Sequence, residues 1–122
     1  MEFKSINPYN GEQVGLYTAL TQEVLVEKLN RGQAAFESWR KVPLAERCRL
    51  IKMAGRVLRD NVEEYAKMIT SEMGKPISES RAEVNKCAWV CDYYAESASD
   101  FLADQSITTD AEKSFVRHDP IG

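Results

Sequence analysis

Few residues in this chain are of a type and spacing that could do chemistry. Cys87 and Cys91 stand four apart in KCAWVC, which puts both thiols on one face of a helix. Two thiolates so placed can begin a zinc site, but two further ligands are needed. The sole histidine, His118, lies in SFVRHDPIG and reads as a strand residue. The favoured reading of the two cysteines is as small buried apolar residues. Arg47, Arg49, Lys52, Arg56 and Arg59 form a basic face that could grip phosphates. In an acidic chain a solvated face or an ion-paired subunit contact is the better expectation. Glu63, Glu64, Glu79 and Glu83 read as helix-start and surface charges. The chain contains no G-x-G-x-x-G, Walker loop, G-x-S-x-G or H-E-x-x-H. These residues alone spell no complete active site.

The elements that must position them are mostly helical. Residues 1–20 read as extended, with Phe3-to-Ile6 and Gln13-to-Tyr17 joined through Asn10-Gly11, a pair suited to a tight hairpin turn. Thr21 caps a first helix, with Glu23 in its first turn, and Val42-Pro43 stops it. A second helix is expected from about Leu44 to Arg59, with Leu44, Cys48, Ile51, Val57 and Leu58 near one stripe. Asn61 and Glu64 have capping-box spacing for a third helix, whose inner face would be Tyr65, Met68, Ile69 and Met73. In EMGKP, Gly74 suits the left-handed residue past a helix end and Pro76 the first turn of the next helix.

That fourth helix is expected from about Pro76 to Asp104, with Ile77, Val84, Cys87, Cys91, Tyr94, Ala98 and Leu102 on one stripe. At about 1.5 Å per residue it would reach roughly 42 Å. A compact domain of this length is only about 35 Å across. Trp89, Val90 and Tyr93 give the helix a second apolar side, which implies cover on both sides, the alternative being that Trp89 and Tyr93 are half-exposed surface aromatics. Short strands are expected at Ile107-Thr108-Thr109 and Lys113-to-Arg117, around Asp110-Ala111-Glu112.

Composition bounds the partners. The chain has 122 residues, 43% hydrophobic and 29% charged, with a net charge of -3. Those values fit a folded domain and argue against nucleic acid or an anionic membrane as partner. No apolar run approaches the ~20 residues of a membrane span. MEFKSINPYNGE lacks the apolar core of a signal peptide, and three unframed cysteines fit a reducing, cytoplasmic setting.

INPYNGE, AAFESWRKVPLAERCRLI, SEMGKP, KCAWVCDYYAE and SFVRHDPIG occur in series. Together they resemble the N-terminal segment of the NAD(P)-dependent aldehyde dehydrogenase superfamily, most of all its succinate-semialdehyde dehydrogenase branch. The resemblance implies a single N-terminal segment of a larger α/β fold. Residues 1–20 would be hairpin or extended, 21–105 helical, and 106–122 a strand region leading towards a Rossmann-type sheet. It implies NAD or NADP as cofactor of the intact enzyme, with no cofactor bound by the segment itself. The partners it implies are the rest of the chain and further copies in a dimer or tetramer, with the strand around Phe115-Val116 joining the oligomerisation element.

In such enzymes a cysteine thiolate attacks the aldehyde, hydride leaves to the nicotinamide, and a glutamate-activated water releases the acid. Those residues lie further along the polypeptide, and Cys48, Cys87 and Cys91 do not match the nucleophile's motif. The resemblance offers two sites here. The backbone carbonyl of Ile6 and the carboxylate of Glu72 would hold an alkali cation, or Glu72 is a plain helix-end carboxylate. Glu83, Lys86 and Val90 would line the substrate tunnel, with Lys86 attracting an anionic substrate tail. The rival expectation is a self-contained helical module that dimerises through the second apolar side of the fourth helix.

Overall fold

The computed structural model describes residues 1–121. Its elements are β1 (Glu2–Ile6), β2 (Gln13–Thr18), α1 (Gln22–Trp39), α2 (Leu44–Asp60), α3 (Val62–Met73), α4 (Ile77–Phe101), β3 (Gln105–Ser106) and β4 (Phe115–Val116). The expected class holds: mostly α, four helices, short strands at both ends. The strands form two separate antiparallel hairpins, β1–β2 and β3–β4. No described helix is long and apolar enough to cross a membrane.

Local chemistry explains most boundaries. Thr21 has extended geometry and its side chain accepts from the Val24 N–H, capping α1. Gly74 ends α3 in the left-handed conformation, φ 69°, with its N–H on the Thr70 carbonyl. Pro76 precedes α4 with φ -54°. Gly11 takes φ 74°, but no non-glycine residue has positive φ, so Asn10 does not complete a two-residue turn. The loop instead spans residues 7–12 and closes through Asn7 N–H to the Glu12 carbonyl, 2.8 Å. Asn61 departs from the expected capping box. Its side-chain amide donates backwards to the Val57 carbonyl, 2.8 Å, and leaves the α3 start without a side-chain cap. The C-terminal hairpin pairs earlier than expected, Gln105 with Val116 and Ser106 with Phe115. Ile107 only donates once, to the Ser114 carbonyl.

The packed centre is α2 and α3 against α4. It is built from small residues. Ala66, Val84 and Ala88 are the buried apolar residues, with Gly55 and Ser80 beside them. A Cβ on Gly55 would lie 3.1 Å from the Ala88 carbonyl oxygen and 3.1 Å from Cys91 Cβ. The expected inner stripes are therefore displaced. Ile51, Val57, Met68, Met73 and Tyr94 are exposed, and so is Cys87, which is not the buried residue the spacing suggested. Helices that approach this closely select residues without bulk, so the largest apolar side chains fall outside the contact.

Polar contacts fasten the remaining surface. Arg81 on α4 donates twice to Glu63 on α3, at 2.7 and 2.9 Å. The basic face of α2 is ion-paired to α4 through Lys52–Glu96, 2.8 Å, and Arg59–Asp92. Thr70 and Ser80 share a hydroxyl hydrogen bond of 3.0 Å.

The exposed area is 9628 Å². A compact monomer of this mass exposes about 6,600 Å², so roughly 3,000 Å² lies in excess. Trp89 and Tyr93 are 59% and 44% exposed, and stack on one another at 5.8 Å. No side chain of α1 is buried. The second apolar side of α4 is thus real and uncovered by this chain.

Two expectations follow from this packing. Gly55→Leu forces α2 from α4 and destabilises the protein by about 1–3 kcal/mol in denaturant unfolding; an unchanged midpoint would contradict the close contact. The Glu63 carboxyl is held below its ordinary value by the Arg81 hydrogen bonds, with the Arg81 charge adding to them. Its contribution is complete above the unfolded carboxylate value and fades as pH falls through the lowered one. In an NMR titration, Arg81→Ala should return Glu63 to the usual carboxylate range.

Candidate functional site

The sequence-derived residues Glu83, Lys86 and Val90 lie together on one wall. They line a groove of about 750 Å³ with Lys75, Ala82, Cys87 and Cys91. The wall follows from helix geometry. At 3.6 residues per turn, Glu83, Cys87 and Val90 fall to one side of the buried Val84–Ala88 line. Lys75 comes from the corner instead. It sits between left-handed Gly74 and Pro76, and its ammonium donates to the Glu83 carboxylate. That hydrogen bond, helped by the Glu83 and Glu79 charges, holds Lys75 above its ordinary value. Lys86 makes no ion pair among the described residues. Ala82, Val90 and the two thiols give the rest of the wall a largely apolar character. The groove can therefore take an aliphatic chain and present one ammonium to it.

Cys87 and Cys91 share this wall, but no third metal ligand joins them. Among the described residues no group of three or more His, Cys, Asp and Glu side chains converges on a metal position. His118 lies elsewhere, in a cavity of about 610 Å³ bordered by Phe36, Arg40, Arg47 and Arg117.

Near Ile6, the β1 end meets the α3 end. Ser5 Oγ donates to Glu72 Oε1 at 2.9 Å, so a hydroxyl already serves this carboxylate at the unfavourable end of a helix dipole. Pro8 lies directly under Gly74, where a Cβ would come within 2.9 Å of its Cγ. Glu72 and the Ile6 segment are thus neighbours through Ser5.

Arg47 was missed as a special position. It is 6% exposed, not part of a solvated basic face. Its guanidinium donates to the carbonyls of Val42, 2.9 Å, Arg40, 3.0 Å, and Pro120, 3.1 Å, and lies 5.8 Å from the Trp39 ring centre. It ties the α1–α2 corner to the last described residues. The available signal was the Val42-Pro43 stop, which leaves carbonyls free one turn before an arginine. Arg47→Met removes these charged hydrogen bonds and should cost about 2–4 kcal/mol of stability, read by thermal or urea unfolding.

Comparison with known proteins gives a consistent set of matches. The family model described as "Aldehyde dehydrogenase family" matches residues 1–122. A probable NADP-dependent succinate-semialdehyde dehydrogenase of Synechocystis is 41% identical over 122 residues, covering 100% of this chain and 27% of the relative. The succinate semialdehyde dehydrogenase Sad of Escherichia coli, named for NAD(P), is 36% identical over 118 residues, 97% of this chain and 26% of the relative. The crystal structure of succinic semialdehyde dehydrogenase from Streptococcus pyogenes with NADP superposes with a TM-score of 0.85 at 32% identity, over 93% of this chain and 25% of that one. The chain spans about a quarter of the length of the relatives it matches.

Proposed function

Because this chain belongs to the aldehyde dehydrogenase family, we propose that it is the N-terminal segment of an NAD(P)-dependent enzyme that oxidises an aldehyde carrying a terminal carboxylate, succinate semialdehyde being the best match. The observation that carries this is the match of all 122 residues at 41% identity to a relative of that activity. The groove chemistry agrees with it: beside the Lys75–Glu83 ion pair, an apolar wall with one further ammonium, Lys86, suits a short aliphatic chain ending in an anion.

The nicotinamide cofactor does not fit the residues present. The described strands form two antiparallel hairpins, with no parallel βαβ unit and no glycine-rich phosphate loop. The cofactor, the thioester-forming cysteine and the water-activating glutamate therefore belong to the remainder of the polypeptide. Within this segment Glu83, Lys86 and Val90 form substrate-tunnel wall. Lys86 draws the substrate carboxylate, Val90 packs against its methylenes, and neither touches the transferred hydride. By itself the segment is inactive. Ile6 and Glu72 are proposed as alkali-cation ligands at the β1–α3 junction, where the Ser5 hydroxyl would yield or share its place. The complete enzyme is proposed to act in the cytoplasm as a dimer or tetramer.

A second reading has one specific observation in its favour. The Trp89–Tyr93 stack is exposed on α4 and suits self-association of a stand-alone helical module.

The complete open reading frame carrying these codons separates the two. The enzyme reading expects several hundred further residues and reduction of NADP by succinate semialdehyde. A frame that closes at codon 122 would leave only the module. In the complete enzyme, Lys86→Ala should raise KM for succinate semialdehyde about three- to tenfold more than for butanal. Equal effects on both would remove Lys86 from specificity.

A further inference from the structure

The groove holds one acid among its described lining residues, Glu83, and two bases, Lys75 and Lys86. Which base engages the acid decides what charge the groove offers. Glu83 and Lys86 are three apart on the same helix, a spacing at which they can pair with each other. They do not. Glu83 is taken by Lys75, eight residues back at the α3–α4 corner.

Resting on the reading of the groove as a substrate wall, we propose that Lys75 is a specificity-determining residue acting through Glu83: by occupying that carboxylate it keeps Lys86 free to bind the terminal carboxylate of the aldehyde.

The corner makes this competition one-sided. Lys75 is flanked by Gly74 at φ 69° and Pro76 at φ -54°. Pro76 narrows the backbone of Lys75, the residue before it, so less freedom is lost when the ammonium settles on Glu83. Lys86 leaves the exposed side of a regular helix and would have to fold back along α4 to reach Glu83. The formal charges of the three side chains sum to one positive. Removing Lys75 brings that sum to zero and also releases Glu83 towards Lys86. Glu79, one turn before Glu83, adds a further negative charge near Lys75. It would then repel an anionic ligand, because its cationic neighbour would be gone.

The test compares the ratio of kcat/KM for succinate semialdehyde to that for butanal in four forms of the complete polypeptide: native, Lys75→Met, Glu83→Gln and the double variant. Lys75→Met should lower the ratio about three- to tenfold. Glu83→Gln should hold or raise it. The double variant should return it to the native level or above, because Lys86 no longer has a carboxylate to pair with. The Lys75→Met effect should shrink at about 1 M salt, where the screening length is about 3 Å.

A double variant as low as Lys75→Met would mean that Lys75 binds the substrate directly, and would overturn the proposal. So would a Lys75→Met ratio equal to native. Lys75→Arg keeps the charge and guards against misfolding as the cause; a ratio as low as that of Lys75→Met would also sink the idea. Activity on both aldehydes with an unmoved ratio defeats this inference alone. Absence of activity on any aldehyde defeats the enzyme reading, and this inference with it.

Discussion

At Gly55 the backbone of α2 comes against the backbone of α4, close enough that even a methyl group would crowd the Ala88 carbonyl and Cys91. The rest of the arrangement depends on that approach. Because the contact is made by Gly55, Ala66, Ser80 and Ala88, it brings three helices together while burying little apolar volume. Among the described residues Val84 is the one buried branched aliphatic side chain. Bulk that would fill the centre of an ordinary domain of this length is displaced outward, to Ile51, Met68, Met73, Trp89 and Tyr93. A tight backbone contact and a large exposed apolar area are thus two consequences of one choice of residues. This is the packing of a layer within a larger body, consistent with a chain that spans 27% of its Synechocystis relative.

With so small a centre, the joints between elements are made by polar groups. Arg47 fastens the α1–α2 corner to Pro120, Ser5 joins the first hairpin to α3, Arg81 joins α3 to α4, and Lys75 joins the α3–α4 corner to Glu83. These joints are not equal. Two of them, Arg81–Glu63 and Lys75–Glu83, are exposed ion pairs, individually worth little in water. Arg47 is different, because its guanidinium is buried against carbonyl oxygens that have no helical partner. Burial removes the competing water, so its hydrogen bonds carry more weight than the others.

The parts of this fold that were legible in the sequence are those decided by one or two neighbouring residues. Thr21 as a cap, Gly74 as a left-handed stop and Pro76 as a restart all act over a single turn, and the structure has each of them. The inner faces were legible in part: Val84 was expected inside and is buried, but most of the other expected positions are not. Periodicity weighted by hydrophobicity favours Cys87, Tyr94, Met68 and Met73, whereas the close contact uses Ala88, Ala66 and Ser80. Hydrophobicity measures how much a side chain gains from leaving water, not whether there is room for it. Asn61 failed for a related reason: the Val57 carbonyl behind it competed for the side chain that a capping box needs. The groove residues came from resemblance to a family, since nothing in the spacing of Glu83, Lys86 and Val90 distinguishes them from other positions on α4. Arg47 was hidden among five basic residues; beyond the Val42-Pro43 stop, its burial and the three-dimensional return of Pro120 set it apart.

The selectivity proposed for this chemically incomplete segment rests on the same geometry. A helix has room for more than one interface around its circumference. On α4 the Ser80–Val84–Ala88 line is spent on α2 and α3, the Trp89–Tyr93 side is apolar, and the Glu83–Val90 side carries charge. A single helix supplies only one wall of a groove, and a wall does not perform a reaction. It does set the potential that a ligand meets on entry. On this wall, that potential comes from three charged side chains and from which two of them pair. In the proposed arrangement the residue that governs the pairing precedes the proline of the corner, so the turn that redirects the chain would also set the electrostatics of the helix it starts.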